Sequence, residues 1–178
     1  MKHSGLSAAI SLVVVAGCVR TAAGPGEPEQ PPGLSRVLAS TDIDGQVIGA
    51  PAPATRATVV VVFASWCYPC RHELAMLGEI AAAEPALRVI GLNAYESWGE
   101  YSDEQRLRAF LARYAPWLQV VVADDSILRS FGGVPKIPTL FVFDGEGREV
   151  IAFRRNQRKP PTRAELERAV ERAMREPG

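Results

Sequence analysis

Cys67 and Cys70, three positions apart in Ser65-Trp66-Cys67-Tyr68-Pro69-Cys70, are the residues whose type and spacing could do chemistry. A bridge across so short a loop removes little entropy from the unfolded chain, so stapling the fold is a poor use for the pair. Redox exchange is a better one. The nucleophile in that chemistry is a thiolate, and a free cysteine with a pKa of about 8.5 is mostly protonated at neutral pH. Unpaired N–H groups and the dipole at a helix N-terminus favour a negative sulfur. Cys67 stands where a helix is expected to start, and Cys70 lies one turn later on the same face, within reach of a mixed disulfide. Pro69 suits the first turn, where its missing N–H loses no intrahelical bond.

Other uses of the pair have to be set beside this one. Two buried structural cysteines are one. Half of a zinc site is another, but tetrahedral zinc needs four ligands. Apart from His72 and carboxylates the chain offers no second ligand pair, since its other histidine, His3, stands near the N-terminus. A copper-binding assembly protein using Cys67, Cys70 and His72 would want wider cysteine spacing and a further histidine. A peroxidase would want a peroxide-binding signature, and none is visible. No metal site is expected.

The elements that must position the pair are legible around it. Thr58 to Phe63 is a β-branched run of the kind buried on both faces of a sheet. A helix is expected from about Tyr68 to Glu84, with Leu74, Leu77, Ile80 and Ala81 at helical spacing and Pro85 as its stop. Leu87 to Leu92 reads as a second buried strand, the region from Asp103 to Tyr114 as a helix, and Leu118 to Val122 as a short strand. Asp125 to Phe131 reads as a short helix ended by Gly132-Gly133. Thr139–Phe143 and Glu149–Phe153 form a hairpin around Asp144-Gly145-Glu146-Gly147, and Thr162 with Glu165 makes a capping-box pattern opening a last helix to about Arg175. Upstream, Val37–Thr41 and Gln46–Ile48 flank Asp44-Gly45, a hairpin signal. Strand–helix–strand units followed by a hairpin and a helix imply an α/β sandwich with a mixed sheet.

The segment from Val60 through Phe63, Trp66, Cys67, Tyr68, Pro69, Cys70, Arg71, His72, Glu73 and Leu74 resembles the active site of the TlpA/ResA branch of thioredoxin-like proteins. Lys136-Ile137-Pro138-Thr139-Leu140-Phe141-Val142-Phe143-Asp144 resembles that superfamily's second signature. The resemblance extends, less specifically, over residues 34–175. It implies a thioredoxin-like three-layer sandwich with a mixed central sheet and an N-terminal β-hairpin. It also implies an extracytoplasmic thiol–disulfide oxidoreductase that reduces protein disulfides and needs no organic cofactor. Apocytochrome c or copper-site proteins would be typical clients, with a membrane electron donor for recycling. An oxidase or isomerase of the same fold is the alternative within the family.

By this resemblance Cys67 matches the attacking cysteine and Cys70 the resolving one. Pro138 matches a cis-proline that presents the backbone of Ile137 to an extended substrate; cis X–Pro bonds are uncommon, and the alternative is a trans proline opening an edge strand. Glu73 matches an acidic residue three positions after the second cysteine, with proton transfer to or from a sulfur as its implied role. That role requires a carboxyl held partly neutral by burial. The alternative for Glu73 is a first-turn glutamate favourable to the helix dipole. Trp66, Tyr68 and Pro69 would line the client groove, and Trp66 could equally pack on the sheet edge. His72 reads as a solvated helix residue. Thioredoxin itself carries a buried aspartate on the preceding strand where this chain has Val61, leaving Glu73 as the nearest candidate acid. Phe63 stands where the family commonly has tryptophan. Tyr95, Trp98 and Tyr101 occupy a loop in which aromatics could touch a client or simply pin the loop.

The 178 residues carry 20 Lys and Arg against 20 Asp and Glu, so no electrostatic footprint for nucleic acid exists. The N-terminus reads MKHSGLSAAISLVVVAGC. A basic start precedes an apolar run from Leu6 to Ala16, within the signal-peptide range and short of the ~20 residues a spanning helix needs. Val15-Ala16-Gly17-Cys18 resembles a bacterial lipobox, which implies cleavage before Cys18 and lipid on its sulfur; ordinary secretion is the alternative. Residues 18–35, rich in Pro, Gly and Ala, are expected to form a flexible tether. The expected organisation is therefore a signal peptide over 1–17, a lipid-anchored linker over 18–35, and one thioredoxin-like domain over 36–178. That organisation places the protein in the cell envelope, anchored to a membrane and facing the periplasm or the exterior.

Overall fold

The structure is a computed structural model, and it describes residues 33–96 and 104–175. Five strands form one sheet in the order β3-β2-β1-β4-β5. β1 (Ala57–Phe63) is central, and all seven of its residues are buried. β2 (Leu87–Asn93) lies parallel to it, and β3 (Gln119–Val122) parallel to β2. β4 (Thr139–Asp144) and β5 (Glu149–Phe153) complete the sheet in antiparallel fashion. The continuous valine run of β1 has this cause: neighbours flank it on both edges and helices cover both faces.

The alternation of β1 divides the core in two. Val59, Val61 and Phe63 face a layer formed by α2 (Tyr68–Ala83), α3 (Glu104–Tyr114) and α5 (Arg163–Arg175). Val60 and Val62 face the opposite layer, made by α1 (Gly33–Leu38) and α4 (Asp125–Ser130). Each fully buried Val, Leu, Ile or Phe side chain contributes about 1.5–3 kcal/mol, so these two layers supply most of the driving force. α2 and α3 share a face because β1, β2 and β3 step across the sheet in one direction, and right-handed crossovers keep their helices on one side. The result is the expected three-layer α/β sandwich.

The capping box also forms. The Thr162 N–H donates to the Glu165 carboxylate at 2.8 Å, and the Glu165 N–H donates back to the Thr162 hydroxyl at 3.3 Å.

The N-terminal part corrects two expectations. Residues 33–38, assigned partly to the tether and partly to a strand, are helical, because Leu34 and Val37 at helical spacing are buried against α4 and Phe131. The expected hairpin shrinks to one bridge, Thr41 to Val47. The turn between them is held by Asp42, whose side chain accepts from the Asp44 and Gln46 N–H groups, with Gly45 at positive φ. The expected signal peptide, Cys18 and most of the tether lie outside the described residues.

Candidate active site

The paired cysteines sit at the C-terminal end of β1, where the chain leaves the sheet and turns into α2. The Cys67 N–H donates to the Ala64 carbonyl at 3.1 Å, closing a tight turn. Cys67 is the N-cap of α2, in extended conformation, and its sulfur accepts the Cys70 N–H at 3.3 Å. A sulfur is thus in the place an N-cap oxygen takes, receiving an orphan amide of the first turn. Tyr68 and Pro69 fill the first two helical positions. Cys67 and Cys70 are joined in a disulfide with Cα atoms 5.3 Å apart. Cys70 is wholly buried, while Cys67 retains slight exposure. That asymmetry is the one a nucleophile and a resolving partner need.

The second signature is brought here by the sheet. β4 pairs antiparallel with β1 so that Thr139 stands opposite Val62, which puts the residues before Thr139 beside the turn leading to Cys67. The Ile137–Pro138 peptide bond is cis, as the resemblance implied. Trp66, Cys67, Tyr68, Pro69, Pro135, Lys136, Ile137 and Arg155 line one open groove of about 420 Å³. All the expected groove residues except Pro138 therefore share a wall; Pro138 is buried beneath it. Trp66 lines the groove, and its indole N–H donates to the Tyr95 carbonyl at 2.9 Å.

Glu73 lies in the second turn of α2 rather than the first, three residues after Cys70 on the buried stripe. It is only 2% exposed, and its Oε2 has no hydrogen-bond partner. Burial pushes its carboxyl up to about 7, against the opposing pull of the Arg155 guanidinium. This is the environment the proton-transfer role requires, and it lies beyond the first turn of the helix. Val61 is buried in the same layer as Cys70. His72 faces away from the sulfurs, in a depression with Ala75, Met76, Glu79 and the start of α5. Among the described residues no group of three His, Cys, Asp or Glu side chains is arranged to hold a metal ion.

The sequence reading passed over Glu96. Its carboxylate accepts from the Ser65 N–H at 2.6 Å, the Ser65 hydroxyl at 2.8 Å and the Asn93 side-chain amide at 2.6 Å. Ser65 and Asn93 are buried, so Glu96 satisfies donors that would otherwise be orphaned beside the active-site turn. Tyr95, at positive φ, adds a second clamp: its hydroxyl donates to the Val134 carbonyl. Tyr95 therefore pins the loop, and Trp98 and Tyr101 lie outside the described residues. The only signal for Glu96 was its place just after a buried strand end, which many surface glutamates share.

No protein-family model matches the chain. It is 28% identical over 150 residues to the thiol:disulfide interchange protein HelX of Rhodobacter capsulatus, covering 78% of this chain and 81% of that one. Among solved structures it resembles a thiol:disulfide interchange protein of the thioredoxin family from Chlorobium tepidum. That match has 23% identity and a TM-score of 0.61, covering 76% of this chain and 91% of that one. It also resembles a secreted disulfide oxidoreductase of Mycobacterium tuberculosis, with 21% identity and a TM-score of 0.60, covering 78% of this chain and 98% of that one. With a bridged cysteine pair capping α2 beside a cis-proline, the chain is a homologue of the thiol:disulfide interchange proteins, a thiol–disulfide oxidoreductase on a thioredoxin-like fold.

Proposed function

We propose that the protein is an extracytoplasmic reductase of client disulfides, working through a mixed disulfide on Cys67. The observation that carries the reading is the sulfur of Cys67 capping α2, slightly exposed at the groove, with Cys70 buried behind it. In the reduced protein the Cys67 thiolate attacks one sulfur of a client disulfide. The client S–S bond breaks, and the departing client thiolate takes up a proton. Cys70 then loses its proton and attacks the Cys67 sulfur. The second client thiol leaves with the electron pair and is protonated. Two electrons have passed to the client, and the Cys67–Cys70 disulfide has formed.

Glu73, one turn from Cys70 and raised by burial to about 7, accepts the Cys70 proton in its ionised form in this scheme. A membrane electron donor would return the pair to the dithiol. The extracytoplasmic setting rests on the N-terminal MKHSGLSAAISLVVVAGC pattern, with Cys18 as the lipidated residue, and on likeness to a secreted oxidoreductase. Clients of the apocytochrome c or copper-site class follow from the family resemblance.

The test is trapping in cells. A Cys70→Ser variant is expected to accumulate disulfide-linked clients, and Cys67→Ala to accumulate none. Equal capture by both variants would remove Cys67 as the nucleophile.

A further inference from the structure

The groove beside Cys67 has an uneven charge. Lys136 and Arg155 are its charged residues; the other lining side chains are aromatic, aliphatic, proline or Cys67 itself. Neither cation has an ion-pair partner among the described residues, whereas Arg108, Arg148, Arg158, Arg163 and Arg175 each pair with a carboxylate. The two come from different parts of the chain, the loop before β4 and the segment after β5. A single buried hydroxyl ties those segments together. Thr139 donates to the Lys136 carbonyl at 2.7 Å and accepts the Arg155 N–H at 3.3 Å. Thr139 is itself 1% exposed. The backbone under both cations is thus fixed to the strand end beside the disulfide, and only their side chains remain adaptable. The carboxyl that acts on Arg155, Glu73, is sealed in the core behind the groove.

From this we propose that Lys136 and Arg155 form a specificity wall selecting client segments that carry Asp or Glu beside the reacting cysteine. The inference rests on the reductase reading and adds a substrate class to it. The chemistry is electrostatic complementarity at a partly desolvated surface. Client carboxylates would fill positions the protein leaves unpaired, while a client Lys or Arg would meet two like charges. The chain's near-zero net charge supplies no long-range field that could produce the same preference.

The test uses the reduced full-length protein and three extended peptides. Each holds one cysteine in a disulfide with an uncharged small thiol and is flanked by Glu, Gln or Lys. At low ionic strength the Glu-flanked peptide is expected to be reduced roughly tenfold faster than the Lys-flanked one, with the Gln-flanked peptide between them. Lys136→Glu with Arg155→Gln should shrink or invert that ratio, with circular dichroism and the thermal unfolding midpoint reporting that the variant is folded. High salt should shrink it in the native protein. Equal rates for the three peptides would overturn the specificity wall and leave the reductase reading intact. A ratio that survives the double substitution would also overturn it. Failure to reduce any peptide would remove both readings.

Discussion

Glu96 holds Ser65 at two points, accepting its backbone N–H at 2.6 Å and its hydroxyl at 2.8 Å. Ser65 is two residues before Cys67, so a carboxylate three residues beyond β2 sets the turn that delivers the nucleophile. The third acceptance, from Asn93, ties the same carboxylate to the last residue of β2.

Removing that carboxylate should cost both stability and rate. Glu96→Ala strands the Ser65 N–H and the Asn93 amide in buried surroundings, at about 2–3 kcal/mol in denaturant unfolding. Glu96→Gln, which keeps an acceptor, should cost less than half as much. An Ala variant as stable as the native protein would show that water replaces the carboxylate without loss.

Glu73 makes stability depend on pH with a determined sign. Its carboxyl is raised from an ordinary 4.5 to about 7 by burial, so the native state holds a proton that the unfolded chain releases. Stability should therefore fall as pH rises from about 4.5 to about 7, by roughly 3 kcal/mol, and level off above. Glu73→Gln should flatten that slope in the disulfide-bonded protein. A slope unchanged by the substitution would place the proton elsewhere.

The two thiols of the reduced protein should differ in reactivity. Cys67 caps α2 and retains exposure, whereas Cys70 has none. Brief treatment with a small alkylating reagent near neutral pH should modify Cys67 and spare Cys70, as read by peptide mass analysis. Comparable modification of both would contradict the assigned roles.

Gly91 is a packing constraint remote from the chemistry. A Cβ there would lie 2.9 Å from both Leu118 and Phe63 side-chain atoms and 3.1 Å from Val120. These are core side chains of the layer covered by α2 and α3, so Gly91→Ala overpacks it. Thermal unfolding should show a loss of about 1–3 kcal/mol. A neutral result would mean that the Phe63 ring and the Leu118 side chain shift freely.

Much of this protein was legible along the chain because the relevant signals are local. The valine run of β1, the helix from Tyr68 with Pro85 after it, the Thr162–Glu165 box and the Cys67–Cys70 spacing each depend on neighbours within one element. The hairpin at Asp44-Gly45 was legible only as a reversal for the same reason: a turn signal says that the chain turns back, and says nothing about how far its arms will pair. Only the tertiary structure decided that Thr139 would stand opposite Val62, carrying Ile137, Pro138 and Lys136 to the sulfurs. It also decided that Glu73 would be sealed from water and that Glu96 would reach back to Ser65. Burial and long-range hydrogen bonds are set by which elements pack together, and a glutamate in a helix or a loop is spelled the same way whether it ends in solvent or in the core.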